Sequence, residues 1–192
     1  MSEFPILDEH AAPPAARDAL QREREANGDI PNLYGILAAN PAALEAYLSL
    51  SRIFESAGFT PLERQVVLIA ASVENACHFC VAAQTAAASE EGLDMSVIEA
   101  VRESRPVADA RLEALRQFTR LVVIQRGFVS DTDVERFIRA GWDRPAVLGV
   151  ILGVSLKVIS NYTNHVAETP LNKAYKPFAW TPRARRSGDC QA

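Results

Sequence analysis

Apolar positions recur along most of this chain at three- and four-residue spacing, and nowhere in a sustained two-residue alternation. The pattern predicts helices and no sheet. A polar, charged segment from Pro14 to Ala26 runs into Asn27-Gly28, a helix-stop and turn signature. Asn40-Pro41 opens a further helix, with Leu44, Tyr47, Leu48, Leu50 and Phe54 at helical spacing, and Gly58 closes it. Thr60-Pro61-Leu62-Glu63 is the clearest local signal: Thr60 can cap, Pro61 suits the first helical position, and Glu63 can reach back to the Thr60 N–H. The helix that follows, through Val66, Val67, Leu68, Ile69 and Val73, is apolar nearly all round and must be buried. Asn75 interrupts it just before Cys77, where a new helix is expected to begin and run to Ser89, with Gly92 ending it.

Asp94, or Ser96 with Glu99, starts a short helix reaching Glu103, and Arg105-Pro106 breaks it. Asp109 to Arg126 reads as a long amphipathic helix with Leu112, Leu115, Phe118, Leu121 and Val122 inward, ended by Gly127. Ser130 with Asp133 caps another, which stops at Gly141, and Asp143 starts a strongly apolar one from Pro145 to about His165. Thr169-Pro170 stops that helix and leaves a tail rich in Pro and aromatics. No linker, low-complexity segment or repeat divides the chain. The expectation is one all-α helical bundle over residues 41–168, with an N-terminal helical extension at 1–40 and an extended tail at 169–192. Two apolar helices in a chain of 192 residues also predict subunit contacts that bury apolar surface.

Composition removes several functions. A net charge of −4, with no clustered basic face, argues against nucleic acid as a partner. The one basic cluster, Arg183, Arg185 and Arg186, reads as a solvated tail. The N-terminus shows no positive segment followed by an apolar one, and the longest apolar stretch, Ala146 to Val154, is about half the roughly 20 residues of a membrane span. A soluble, cytoplasmic protein is therefore expected, without a membrane partner. In that compartment a Cys-x-x-Cys pair reads as redox or metal chemistry rather than as a structural disulfide.

That pair is Cys77-His78-Phe79-Cys80, three residues apart at a predicted helix start, so both thiols share a face and Gln84 extends it. The thiolate is the reactive form, and a helix N-terminus or a neighbouring proton acceptor favours it. Glu74, three residues before Cys77, is a candidate acceptor. Half of a zinc site, completed from His78, His165, Glu74 or His10, and two inert buried thiols are the competing readings. His165, at the end of the last apolar helix, is either a base brought to the thiols or a histidine favoured by the helix dipole. Cys190 reads as an incidental exposed thiol.

The run Phe59-Thr-Pro-Leu-Glu-Arg-Gln-Val-Val-Leu-Ile-Ala, followed by Glu74-Asn-Ala-Cys77-His-Phe-Cys80-Val-Ala-Ala, resembles the alkylhydroperoxidase D-like, carboxymuconolactone decarboxylase superfamily. The likeness covers about Pro41 to Gly127 and more loosely Asn161-Tyr-Thr-Asn-His165 and Thr169-Pro170-Leu171. It implies an all-helical subunit, assembled as a trimer or hexamer, with peroxidase or disulfide-exchange activity. A peroxide or disulfide would be the substrate and a dithiol protein the reductant, with no cofactor or metal. By position, Cys80 would attack peroxide and pass through sulfenic acid, Cys77 would resolve it, and Glu74 would belong to the proton relay. The sequence departs from the pattern at Gln84, which stands where the relay histidine belongs and cannot accept and return a proton. Either His78 or His165 substitutes, or the chain keeps the scaffold and has lost efficient peroxide chemistry. A non-catalytic, redox-responsive helical oligomer and a lactone decarboxylase-like enzyme of small molecules are the alternatives.

Overall fold

A computed structural model describes residues 4–182 and consists, over that span, of helices joined by short turns. In chain order they are α1 (Pro14–Asn27), α2 (Asn32–Leu37), α3 (Pro41–Glu55), α4 (Pro61–Glu74), α5 (His78–Glu90), α6 (Met95–Arg102), α7 (Ala110–Ile124), α8 (Asp131–Arg139) and α9 (Arg144–Val166), followed by a 3-10 helix (Lys173–Phe178). The all-α expectation holds. Cys190 and the Arg183, Arg185 and Arg186 cluster, read above as an incidental exposed thiol and a solvated tail, lie outside the described residues.

Local signals set most boundaries. Thr60 and Glu63 form the full capping box of α4: the Glu63 N–H donates to Thr60 Oγ1 at 3.3 Å and the Thr60 N–H to Glu63 Oε2 at 2.8 Å. Asp94, rather than Ser96, caps α6, and Asp109, Ser130 and Asp143 cap α7, α8 and α9. Two features were not expected. α2 is a helix of its own between the Asn27-Gly28 stop and Asn40. The segment expected as an extended tail instead carries the 3-10 helix, which packs back on α5 with Tyr175 edge-on to Phe79 at 5.7 Å.

α4 is the central element. It packs against α5, α6, α7 and α9, and Val66, Val67, Ile69 and Ala71 are fully buried, as its all-round apolar sequence requires. α9 lies across α3, α4 and α7. By length and composition α9 is also apolar enough to cross a membrane, but one face of it is core: Ala146, Gly149, Val150, Gly153, Leu156, Lys157, Ser160, Asn161 and Asn164 are all buried. These positions repeat at three and four residues. The first part of that face is small or apolar and the last part is polar, so the helix carries polar groups into the centre of the bundle beside the start of α5.

Candidate functional site

The α4–α5 junction places the two thiols. α4 ends at Glu74, and Ala76 then adopts a left-handed backbone conformation at φ 55°. This is uncommon for a residue with a Cβ, and it turns the chain so that the Cys77 N–H bonds the Ser72 carbonyl at 2.9 Å. Cys77 becomes the N-cap of α5, its Sγ accepting from the Cys80 N–H at 3.4 Å. The sharp reversal buries Cys77 completely and leaves Cys80 2% exposed. Both are free thiols.

α9 closes over them. Asn164 Nδ2 donates to Cys80 Sγ at 3.2 Å and reaches Cys77 Sγ at 3.9 Å. One turn earlier, Asn161 accepts from Asn75 Nδ2 at 2.9 Å and donates to Ser72 Oγ at 3.3 Å, which ties the junction to α9. Asn164 Oδ1 is buried and has no hydrogen-bond partner among the described residues. Such a group is costly unless something else satisfies it.

Cys80 faces a cavity of about 170 Å³, close to the size of an apolar cavity that takes a benzene-sized guest. It is lined by Leu33 and Tyr34 of α2, Tyr47 of α3, Phe79 and Gln84 of α5, Lys157 of α9 and Tyr175 of the 3-10 helix. Lys157 is only 1% exposed.

The two thiols are not equivalent. Burial opposes ionisation of Cys80, but the hydrogen bond from the Cys77 thiol, the Lys157 charge, and Ser160 and Asn161 outweigh it and hold Cys80 well below the ordinary thiol range. Cys77 is pushed up, first because it gives its hydrogen bond to Cys80, then by burial and by the Cys80 charge. Of the two sulfurs, Cys80 is the one whose ionisation the surroundings favour. Burial, followed by the Cys80 charge, also raises Tyr47 on the cavity wall, which keeps its phenol protonated.

The remaining residues named from sequence are placed differently. Gln84 lines the cavity with Cys80. Glu74 is ion-paired with Arg120 of α7 at 3.0 Å, is not among the residues lining the cavity with Cys80, and is partly buried. His78, on the first turn of α5, is exposed, and so is His165 near the end of α9. His10 is exposed as well, and no group of three or more His, Cys, Asp or Glu side chains among the described residues is arranged to hold a metal ion. The sequence reading missed Lys157, Asn161 and Asn164. With Ser160 they occupy positions i, i+4, i+7 and i+3 of one helical face, and Lys157 is the one charge between Arg144 and His165, so the signal was present.

Residues 41–120 match the carboxymuconolactone decarboxylase family. No curated protein matches the chain. Among solved structures, the alkylhydroperoxidase AhpD core of an uncharacterized peroxidase-related protein from Ralstonia eutropha JMP134 superposes with a TM-score of 0.81 at 21% identity, over 91% of this chain and 94% of that one. A peroxidase-related protein from Silicibacter sp. TM1040 gives 0.75 at 20% identity, over 90% and 92%. The debrominase Bmp8, solved as a cysteine-to-alanine variant with 2,3,4-tribromopyrrole, gives 0.77 at 13% identity, over 92% and 95%. Residues 41–120 are thus similar to the carboxymuconolactone decarboxylase family, and the chain has the all-α fold of the AhpD core structure.

Proposed function

We propose that the protein is a thiol-dependent oxidoreductase that reduces a hydroperoxide at Cys80 and closes a Cys77–Cys80 disulfide. The observation that carries this reading is the pairing of the two buried sulfurs under one amide, Asn164, whose carbonyl oxygen is left without a partner beside them. The nitrogen steadies the thiolate, and the oxygen is free to accept from the terminal O–H of a hydroperoxide. That hydrogen bond would set the terminal oxygen against Cys80 Sγ, which the geometry of displacement requires.

The step balances without a cofactor. The Cys80 thiolate attacks the terminal oxygen, an S–O bond forms, the O–O bond breaks, and the departing alkoxide takes up a proton from solvent to leave as the alcohol. Cys77 then loses its proton and attacks the Cys80 sulfenic acid; a disulfide forms and water departs. A dithiol reductant, proposed to be a protein, would reopen the disulfide. The cycle suits a reducing intracellular compartment, where such a reductant is present.

Assembly belongs to the same proposal. Leu148, Ile151, Tyr162 and Val166, 44% to 69% exposed, form an apolar stripe on the side of α9 opposite the buried face, which suits a self-contact. Sedimentation equilibrium tests it, with a trimer or hexamer expected.

The test of the redox reading is a free-thiol count before and after one equivalent of an organic hydroperoxide. Loss of two thiols, with mass spectrometry locating the new disulfide at Cys77 and Cys80, is expected. Retention of both thiols in folded protein overturns it and leaves a non-catalytic helical scaffold as the reading.

A further inference from the structure

Lys157 is a cation carried into the centre of the bundle. It is 1% exposed, and among the described residues no carboxylate lies within ion-pair distance of it. A buried ammonium without a counter-charge is severely penalised, so its neighbours must supply one. Those on the cavity wall are Tyr34 of α2, Tyr47 of α3, Cys80 and Gln84 of α5, and Tyr175 of the 3-10 helix. α4 contributes Ser72 through Asn161, and α9 itself contributes Ser160, Asn161 and Asn164, all neutral. Glu23 of α1, Asp29 before α2 and Glu90 of α5 act electrostatically on the tyrosines of this wall, and none of the three forms an ion pair with Lys157. The tyrosines are themselves held protonated, by burial first. Of these groups the Cys80 thiol is the one that can become an anion at neutral pH.

We propose that the Cys80 thiolate is the counter-ion of Lys157, and that this buried pair, supplied from α9, selects Cys80 over Cys77 as the nucleophile. Lys157 is then a positioning residue. It does from α9 part of what the histidine expected at position 84 would do from α5: it stabilises negative charge at the sulfur before attack. When the alkoxide departs, the same ammonium faces the new anion, so the charge it balances moves from sulfur to oxygen without leaving the site. Such a pair also explains why a helix as apolar as α9 keeps a lysine where a methionine would fill the same space.

The proposal rests on the redox reading for its purpose, but it can be tested without any oxidant. The ultraviolet absorbance of the thiolate, followed against pH in the full reduced protein, reports the ionisation of the pair, and Cys77→Ser and Cys80→Ser assign it. Lys157→Met removes the charge at similar volume, and Lys157→Arg keeps it. The expected result is that Lys157→Met moves the Cys80 inflection up by about one pH unit or more, a roughly tenfold or greater loss of thiolate at neutral pH, while Lys157→Arg stays near the parent. An unmoved inflection in folded Lys157→Met overturns the proposal. If Lys157→Met does not fold, Cys80→Ser, which strands the cation, is compared with the Cys80→Ser, Lys157→Met double variant. Recovery of thermal midpoint in the double variant supports the pair, and no recovery overturns it. A normal titration with no peroxide-driven thiol loss would instead remove the redox reading and leave the ion pair standing.

Discussion

The two halves of α9 present one continuous buried face and use it for opposite ends. In the first half the face is made of Ala146, Gly149, Val150 and Gly153. A Cβ on Gly149 would stand 2.8 Å from Phe59 Cε2, and one on Gly153 would stand 2.7 Å from Val67 Cγ1 and 2.8 Å from Phe54 Cε2, so here the helix is packed in close contact with its neighbours. In the second half the same face carries Lys157, Ser160, Asn161 and Asn164, which meet the thiols and the α4–α5 junction. Close packing of the first half fixes the axis and rotation of the helix. That fixed rotation is what lets four polar side chains in the second half arrive at a buried site in register. Rigidity is made in one place and used in another.

The comparison predicts that damage to the two regions separates into two kinds. The largest effect belongs to the site: Cys80→Ser should reduce hydroperoxide-driven thiol loss to the uncatalysed background while the far-ultraviolet circular dichroism stays native. A variant that still consumes peroxide through Cys77 would show that the two sulfurs are interchangeable.

In the packed half, Gly153→Ala should leave the redox chemistry in place and weaken the fold. The added methyl group has to displace both Val67 and Phe54, an overpacking cost of ~1–3 kcal/mol, partly offset by up to ~1 kcal/mol of helix propensity. A net loss of about 1–2 kcal/mol corresponds to a thermal midpoint lower by roughly 2–8 °C in a chain of this size. Unchanged stability joined to a lower thiol reactivity would erase the distinction between the halves.

Stability against pH offers a third separation. The Cys80 thiol is held below its ordinary value in the folded protein. Its contribution is therefore fully present above the unfolded thiol range, near 9.0, and is lost as pH falls from there through the folded value. Cys77 is raised, so its effect has the opposite sense: the unfolded chain gains as pH rises above the same range. Below it, the difference in midpoint between parent and Cys80→Ser should shrink as pH is lowered, whereas the difference for Gly153→Ala should stay flat. Parallel curves would mean that Cys80 carries no charge in the resting state.

Much of this arrangement was legible in the sequence, and the failures have a common cause. Capping residues are local, so Thr60 with Glu63, Asp109, Ser130 and Asp143 announced their helices. α2 has only six residues and is held from far away: its Asn32 N–H donates to Asn172 Oδ1 at 2.8 Å, and Asn172 Nδ2 donates to the Ile30 carbonyl at 3.2 Å. The 3-10 helix is likewise fixed at its exit by Trp180, whose Nε1 donates to the Arg102 carbonyl at 3.0 Å. No window of neighbouring residues contains those partners. For the site, the Cys-x-x-Cys pair was plain, because its spacing and its helix start are local. Lys157 and Asn164 were readable as polar positions on an apolar helix, but their meaning depended on which helix faces Cys80, and that is tertiary information. Glu74 is the converse case: three residues from Cys77 in sequence, it ends a helix on the other side of a reversal and pairs with Arg120.

Gln84→His tests whether the chemistry resides on α9 or α5. A positioned acid–base group is worth roughly 10²–10⁴ in rate. With Lys157 already supplying the charge at Cys80, the restored histidine should raise the rate of thiol oxidation less than about tenfold, or under ~1.4 kcal/mol. A gain of a hundredfold would place the missing function on α5 and reduce α9 to a scaffold along its whole length.

The smallest expected effect lies at the hinge between the regions. Ala76 holds φ 55°, where a Cβ costs roughly 1–2 kcal/mol, and glycine would remove that cost at the expense of a more mobile unfolded chain. Ala76→Gly should therefore raise stability by about 0.5–1 kcal/mol, a midpoint shift of roughly 1–4 °C, read by thermal unfolding. What makes the variant informative is the second measurement. The Cys77 N–H to Ser72 carbonyl bond and the Asn75–Asn161–Ser72 chain hold the reversal from both sides, so a freer residue 76 should leave the rate of disulfide closure unchanged. If closure slows while the protein grows more stable, the strained alanine is itself what aims Cys77 at Cys80, and the precision of the site comes from the turn as much as from α9.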